Sequence, residues 1–292
     1  MRSLVVWLAL SIESTNHGNR YVYLPATTTP SQPLLVLMGG MAQTIASWEP
    51  HLPFLSGHRN ILVYEGIGQG PDLGNVNDAY VNVSLPFQAD VLLETLNAID
   101  EEAYKEKVDV VGFSLGGRIA MAMTTRHPQR IRRIHVTGVA ADRSDAGHVA
   151  AMAWRDLLAA GNTQGFAWSI LQTTYAPAFL LRHQNRLTQW THFIANNNSP
   201  RGLSALMEQT YFSKDDLWTP LAMAKRIQQQ QDPIGGRLLV GELDQIAPCQ
   251  ETQLLASMLE WQFSTMKGCG HAVPTENARL WRKDVLNFLK SN

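Results

Sequence analysis

The sequence predicts an α/β fold, a mostly parallel sheet with helices on both faces, and three observations carry that reading. Short apolar runs of strand length alternate with amphipathic stretches of helix length. One run, Val108 to Phe113, passes straight into a helix-like segment through the pentad Gly112-Phe113-Ser114-Leu115-Gly116. The chain has 292 residues, 45% of them hydrophobic, enough to bury a sizeable core.

Taken in order, Met1-Arg2-Ser3 and the apolar run Leu4 to Ile12 fit either a strand or a short secretion signal. The turn-forming Asn16-His17-Gly18-Asn19 and the extended Tyr21 to Leu24 that follows favour a β-hairpin. Further strands are expected at Leu34 to Met38, Ile61 to Tyr64, Val108 to Phe113, Ile131 to Val136, Leu238 to Val240 and, less clearly, Trp261 to Met266. Ser84 to Ile99 repeats apolar residues at helical spacing, with Ser84 placed to cap and Pro86 in the first turn. The last helix, about Glu276 to Lys290, offers Leu280, Trp281, Val285, Phe288 and Leu289 as its buried stripe. Residues 142–232 break the rhythm: they hold no convincing strand and many aromatics. Residues 1–141 and 233–292 are therefore expected to form the core, and 142–232 a helical cap over the sheet's carboxyl edge.

Lys+Arg of 24 against Asp+Glu of 25 leaves a formal charge of −1, which gives no footprint for nucleic acid and points to a small, mostly apolar or neutral substrate. No apolar run is long enough to span a bilayer, and a soluble cytoplasmic or organellar location is the expectation. Cys249 and Cys269 are too few for a disulfide framework and lack zinc-site spacing. The arginines 126, 130, 132 and 133 read as a solvated cluster after a helix.

Ser114 falls where a strand turns into a helix, flanked by small residues that let the two approach. A helix start there directs free NH groups at a developing oxyanion. A serine nucleophile needs a base, and the base needs an orienting carboxylate. Leu238 to Leu243 ends in Asp244 at the carboxyl edge, and His271 follows in the loop Gly268-Cys269-Gly270-His271. Glu242 competes with Asp244 for the acid role, since period-two counting points both the same way.

These residues, in the order Ser, Asp, His, resemble the α/β-hydrolase superfamily over nearly the whole chain. The resemblance implies an eight-stranded sheet, the triad Ser114, Asp244 and His271, and no cofactor or metal. Gly39-Gly40-Met41 through Trp48 is similar to the family's oxyanion loop, with Gly39 where a histidine usually stands. By that likeness the NH groups of Met41 and Leu115 form the oxyanion hole, with Gly40 and Phe113 beside the substrate. Glu65-Gly66-Ile67-Gly68-Gln69-Gly70 resembles an Asp-x-x-Gly-x-Gly turn, with Glu65 replacing the aspartate.

A closer partial likeness is to the SHCHC synthases of menaquinone biosynthesis, through Ser114 to Met121, Ser199 to Leu203 and Asp216-Leu217-Trp218. That likeness implies elimination of pyruvate from an anionic substrate, with Arg118 and Arg201 as carboxylate clamps. Asp244-Gln245-Ile246-Ala247-Pro248 looks more like the acid loop of esterases and C–C bond hydrolases. A serine hydrolase is the expected activity; the lyase and a non-turning ligand binder of the same fold are the alternatives.

Overall fold

The computed structural model describes residues 12–15, 17–27, 32–57, 59–71, 82–99 and 106–290. Its strands are β1 (Glu13–Ser14), β2 (Arg20–Leu24), β3 (Leu35–Met38), β4 (Ile61–Glu65), β5 (Val108–Phe113), β6 (Ile131–Thr137), β7 (Gly235–Gly241) and β8 (Gln262–Met266). They form one eight-stranded sheet ordered β1-β2-β4-β3-β5-β6-β7-β8. β2 runs antiparallel to β1 and β4, and every other pairing is parallel. The described part of the N-terminal hairpin is short, and the choice between strand and targeting segment for residues 1–11 lies outside the described residues.

Period two sorts the side chains. Val36 and Met38 of β3, Leu62 and Tyr64 of β4 and Val110 of β5 enter one core, while Leu35, Leu37, Ile61, Val63 and Val111 enter the other. Both faces need cover, which explains the unbroken apolar runs. The first face is covered by α2 (Leu85–Ala98) and α3 (Leu115–Arg126), the second by the short α1 (Leu52–Leu55) and the C-terminal α12 (Ala278–Lys290).

Between β6 and β7 lie α4 (Asp145–Ala159), α5 (Thr163–Thr174), α6 (Pro177–Arg182), α7 (Leu187–Asn196), α8 (Pro200–Leu206) and α9 (Pro220–Gln228), with a π-helical turn at Met207–Tyr211. No strand interrupts them among the described residues. α9 buries Met223, Ala224 and Ile227 against α3 and α10 (Cys249–Leu259), so it is the crossover helix that returns the chain to the sheet. α4 to α8 precede it in the chain.

Three expectations shift in detail. β7 begins at Gly235, three residues before Leu238, and since a side chain at Gly236 would collide with the Trp261 ring, the glycine there lets the ring lie on the strand. Ser84 stands at the N-cap of α2, but its hydroxyl donates to Asn82 Oδ1 and makes no cap bond. The last helix splits into α11 (Val273–Glu276) and α12, and Leu280 is 40% exposed. Trp281, Val285, Phe288 and Leu289 share a face at 4, 7 and 8 residues, and Leu280 sits about 100° off it.

Within the arginine cluster, Arg126 is exposed as expected and binds Asp90 through two bonds, whereas Arg132 departs from a purely solvated role by binding the fully buried Asp109. No helix among the described residues is long and apolar enough to cross a membrane. Cys249 and Cys269 are free thiols, the first half-buried and the second buried.

Candidate active site

The turn from β5 into α3 holds Ser114 at φ 51° and ψ −114°, a left-handed conformation that side chains rarely adopt. Close packing enforces it. A Cβ at Gly116 would come within 2.3 Å of the Met38 carbonyl oxygen, and one at Gly112 within 2.5 Å of the Gly116 oxygen. Ser114 NH donates to Thr137 O at 2.8 Å, and Gly116 NH to Gly39 O at 3.0 Å. That second bond ties the start of α3 to the loop Gly39-Gly40-Met41.

His271 Nε2 lies 2.9 Å from Ser114 Oγ, and its Nδ1 lies 2.8 Å from Asp244 Oδ2. All three residues are buried. Asp244 Oδ1 accepts from the NH groups of Ile246 and Ala247, both at 2.8 Å, so one oxygen is clamped and the other faces the imidazole. Glu242 points elsewhere: its Oε2 accepts from Gly268 NH at 2.8 Å. Gly138 (φ +71°) backs the histidine, where a Cβ would approach its Cε1 to 2.9 Å. Glu276 stitches the histidine loop to the overhanging helices, accepting from Gly270 NH at 2.9 Å and Ala176 NH at 3.0 Å. Burial raises the Glu276 carboxyl, and those two NH groups partly offset the rise.

The loop at Gly39 solves its own hydrogen bonding. Gln43 Oε1 accepts from Gly40 NH at 2.8 Å, and the space beside Gly39 is filled by Gln43 and Trp48. Glu65 accepts from Arg20 Nε at 2.6 Å and from Ile45 NH at 2.9 Å, bracing the segment after the loop. Burial raises its carboxyl against the pull of both partners.

Two cavities meet at Ser114. The larger, about 430 Å³, is lined by Gly40, Met41, Phe113 and His271 from the core and by Trp154, Trp190 and Phe193 from the overhanging helices. The smaller, about 260 Å³, is lined by Arg118, Arg143, Gln209 and Trp218, and Tyr211 borders both. Leu115 is fully buried as the first residue of α3, where an α-helix leaves its NH without an intrahelical acceptor.

Arg118 is partly buried, and its Nε and Nη1 are shielded from solvent without a hydrogen-bond partner. Its guanidinium stands 5.3 Å from the centre of the Tyr211 ring, and that of Arg143 stands 4.3 Å from it. Burial, then the neighbouring Arg143, pull Arg118 down to about 10. Arg201 is exposed in the first turn of α8 and lines neither cavity. Among the described residues no group of three or more His, Cys, Asp or Glu is placed to hold a metal ion.

Of the residues expected from sequence, Ser114, Asp244, His271, Gly40, Met41, Phe113 and Arg118 converge, with Leu115 beneath them. Arg143, Tyr211, Gly138 and Glu276 were not singled out. Gly138 follows a strand end as Ser114 does, a signal that was present but weak; the other three reach the site only through tertiary packing.

A sheet of this order, carrying a serine at a strained strand-to-helix turn, is the arrangement of the α/β-hydrolase class. The alpha/beta hydrolase family model matches residues 35–282, and the chain belongs to that family of enzymes. It is 24% identical over 278 residues to RutD of Serratia proteamaculans (strain 568), a protein named as a carbamate hydrolase, covering 92% of this chain and 95% of that one. A 2-hydroxymuconate semialdehyde hydrolase of Pseudomonas sp. (strain CF600) is 30% identical over 110 residues, 37% of this chain and 36% of that one. Among solved structures, MGS-M2, an alpha/beta hydrolase enzyme from a Medee basin deep-sea metagenome library, superposes with a TM-score of 0.79 at 19% identity, covering 97% of this chain and 98% of that one.

Proposed function

We propose that this enzyme hydrolyses a small carbonyl substrate, an ester or an activated C–C bond, through a covalent intermediate on Ser114. The observation that carries the reading is the unbroken line from Ser114 Oγ through His271 to Asp244, each step a hydrogen bond below 3 Å. His271 takes the serine proton as Oγ bonds to the carbonyl carbon, then delivers it to the leaving group as the carbon–leaving-group bond breaks. Water, deprotonated by the same imidazole, attacks the acyl-enzyme and releases the acid. Asp244 holds the tautomer that keeps Nε2 a base. Charge developing on the carbonyl oxygen is met by the NH groups of Leu115 and Met41, held at one mouth by the bond between Gly116 and Gly39.

Residues 142–219 act as a cap in this reading, because Trp154, Trp190, Phe193 and Tyr211 wall the larger cavity from above. The partner is a small molecule, and the chemistry needs no cofactor. Pyruvate elimination is the weaker reading, since Arg201, the second clamp it implies, lines neither cavity. A non-turning binder would have no use for a strained serine aligned with a base.

A fluorophosphonate probe should label the purified enzyme at Ser114, with no labelling of Ser114→Ala. Esterase activity of that variant should fall by about 10³ or more, leaving only what binding and the oxyanion donors supply. Wild-type turnover by the variant would end the proposal.

A further inference from the structure

We infer that the smaller cavity beside Ser114 is a carboxylate subsite in which Arg118 and Arg143 hold an anionic group of the substrate. This deepens the hydrolase reading and rests on it.

Four observations lead there. Arg118 turns two donors, Nε and Nη1, into the protein interior without acceptors. Buried donors of a charged group left unpaired are costly, and an acceptor that arrives with the substrate removes that cost. A second guanidinium, Arg143, stands on the same tyrosine ring, so two positive charges face one cavity at short range. A π-helical turn at Met207–Tyr211 brings that ring between Ser114's two cavities, and such turns cluster at functional sites. Neither carboxylate that lines the cavity bonds a guanidinium: Asp142 is largely exposed and accepts from the Arg143 backbone NH, its charge reaching the Arg143 side chain from there, and Asp215 accepts from Leu217 NH.

Planar guanidinium groups match a carboxylate through paired hydrogen bonds, and about 260 Å³ admits a short acidic chain. Arg118 lies one helical turn beyond Ser114, so the carboxylate sits a few bonds from the reacting carbonyl. The apolar remainder occupies the aromatic-walled cavity on the other side. The substrate class is then a monoanion such as a dicarboxylic half-ester or an oxo-acid, in place of the neutral substrate that the chain's near-zero net charge suggests.

The test compares the p-nitrophenyl half-esters of succinate and glutarate with the neutral pentanoate ester of the same leaving group. The wild type should favour an anionic ester by about tenfold to a hundredfold in kcat/KM, the worth of one or two charged hydrogen bonds. Arg118→Met and Arg143→Met should each collapse that ratio toward one, and a within-enzyme ratio is insensitive to partial loss of folded protein. Succinate should inhibit competitively at lower concentration than inorganic phosphate; the reverse order would make the subsite one for phosphoryl groups and overturn the carboxylate assignment. A ratio at or below one in the wild type, or one unchanged in both variants, sinks the subsite while leaving Ser114 labelling, and the hydrolase reading, intact. Absence of labelling sinks the hydrolase reading, and succinate binding to Ser114→Ala by calorimetry then decides the subsite alone.

Discussion

At the scale of single residues, Asp244 is held by more than its histidine. The NH groups of Ile246 and Ala247 fix one oxygen, so an amide at this position turns its carbonyl to those donors and its NH₂ to His271. The imidazole must then accept at Nδ1 and carry its proton on Nε2, where it cannot act as base. Asp244→Asn should therefore lower kcat by about 10⁴, as the wrong tautomer does elsewhere. Glu242→Gln, which disturbs only a bond to Gly268, should cost less than tenfold, and steady-state kinetics on both variants would expose the reverse ranking. The proposed chemistry is what made Ser114, Asp244 and His271 legible, since a serine nucleophile calls for a base and an acid and the family resemblance supplies their chain order. Alternation alone did not separate Asp244 from Glu242, because it gives the side of a strand; only the place of Asp244 in the loop past the strand end favoured it. Arg143 and Tyr211 carry no such grammar, and only the folding of the intervening helices brings them beside Ser114.

Among the helices, caps divide into those that bond and those that merely occupy the position. Ser199 accepts from Gly202 NH at 3.1 Å and is buried, whereas Ser84 spends its hydroxyl on Asn82. Ser199→Ala should cost about 1 kcal/mol in urea unfolding, and Ser84→Ala distinctly less than that usual figure for a cap serine. Equal losses would show that the Ser84 hydroxyl reaches the α2 backbone in solution. The pattern that predicted α2 was sound because buried Leu85, Ala89, Leu92 and Leu96 follow from spacing alone. Cap bonds depend on the rotamer and neighbours of one hydroxyl, which spacing does not encode. β7 was underestimated for a related reason: Gly235-Gly236 has turn composition, and its use beneath Trp261 is a tertiary fact.

For the molecule as a whole, two buried histidines, His51 and His135, are expected to cost stability in acid. His51 packs against Trp48 and Trp281, with ring centroids 5.7 and 4.9 Å away, and burial, then Arg282, lower it to about 4. His135 is lowered too, by burial first, against the pull of Asp284. A histidine with a depressed folded pKa is neutral in the native state while the unfolded chain takes up a proton. Stability therefore rises with pH through the window from about 4 to 6.5 and is lost as pH falls through it, by at most ~1.4 kcal/mol per pH unit for each group. Tm should drop between pH 7 and pH 5, and His51→Gln should flatten the drop; an unchanged slope in that variant would clear His51.

The fold class was readable because runs of strand and helix length alternate. The boundary of the helical segment was not, since α9 has the amphipathic pattern of its predecessors and only its packing on α3 and α10 assigns it to the sheet. That placement has an evolutionary consequence. Residues 142–219 leave the carboxyl end of β6 and rejoin an ordinary crossover helix, so their length and composition can change without moving the register of any strand. Ser114, Asp244 and His271 all lie outside this stretch. On the proposed reading, the helices that line the larger cavity could be exchanged as one stretch of chain while the three proposed catalytic residues keep their places in the sheet's loops.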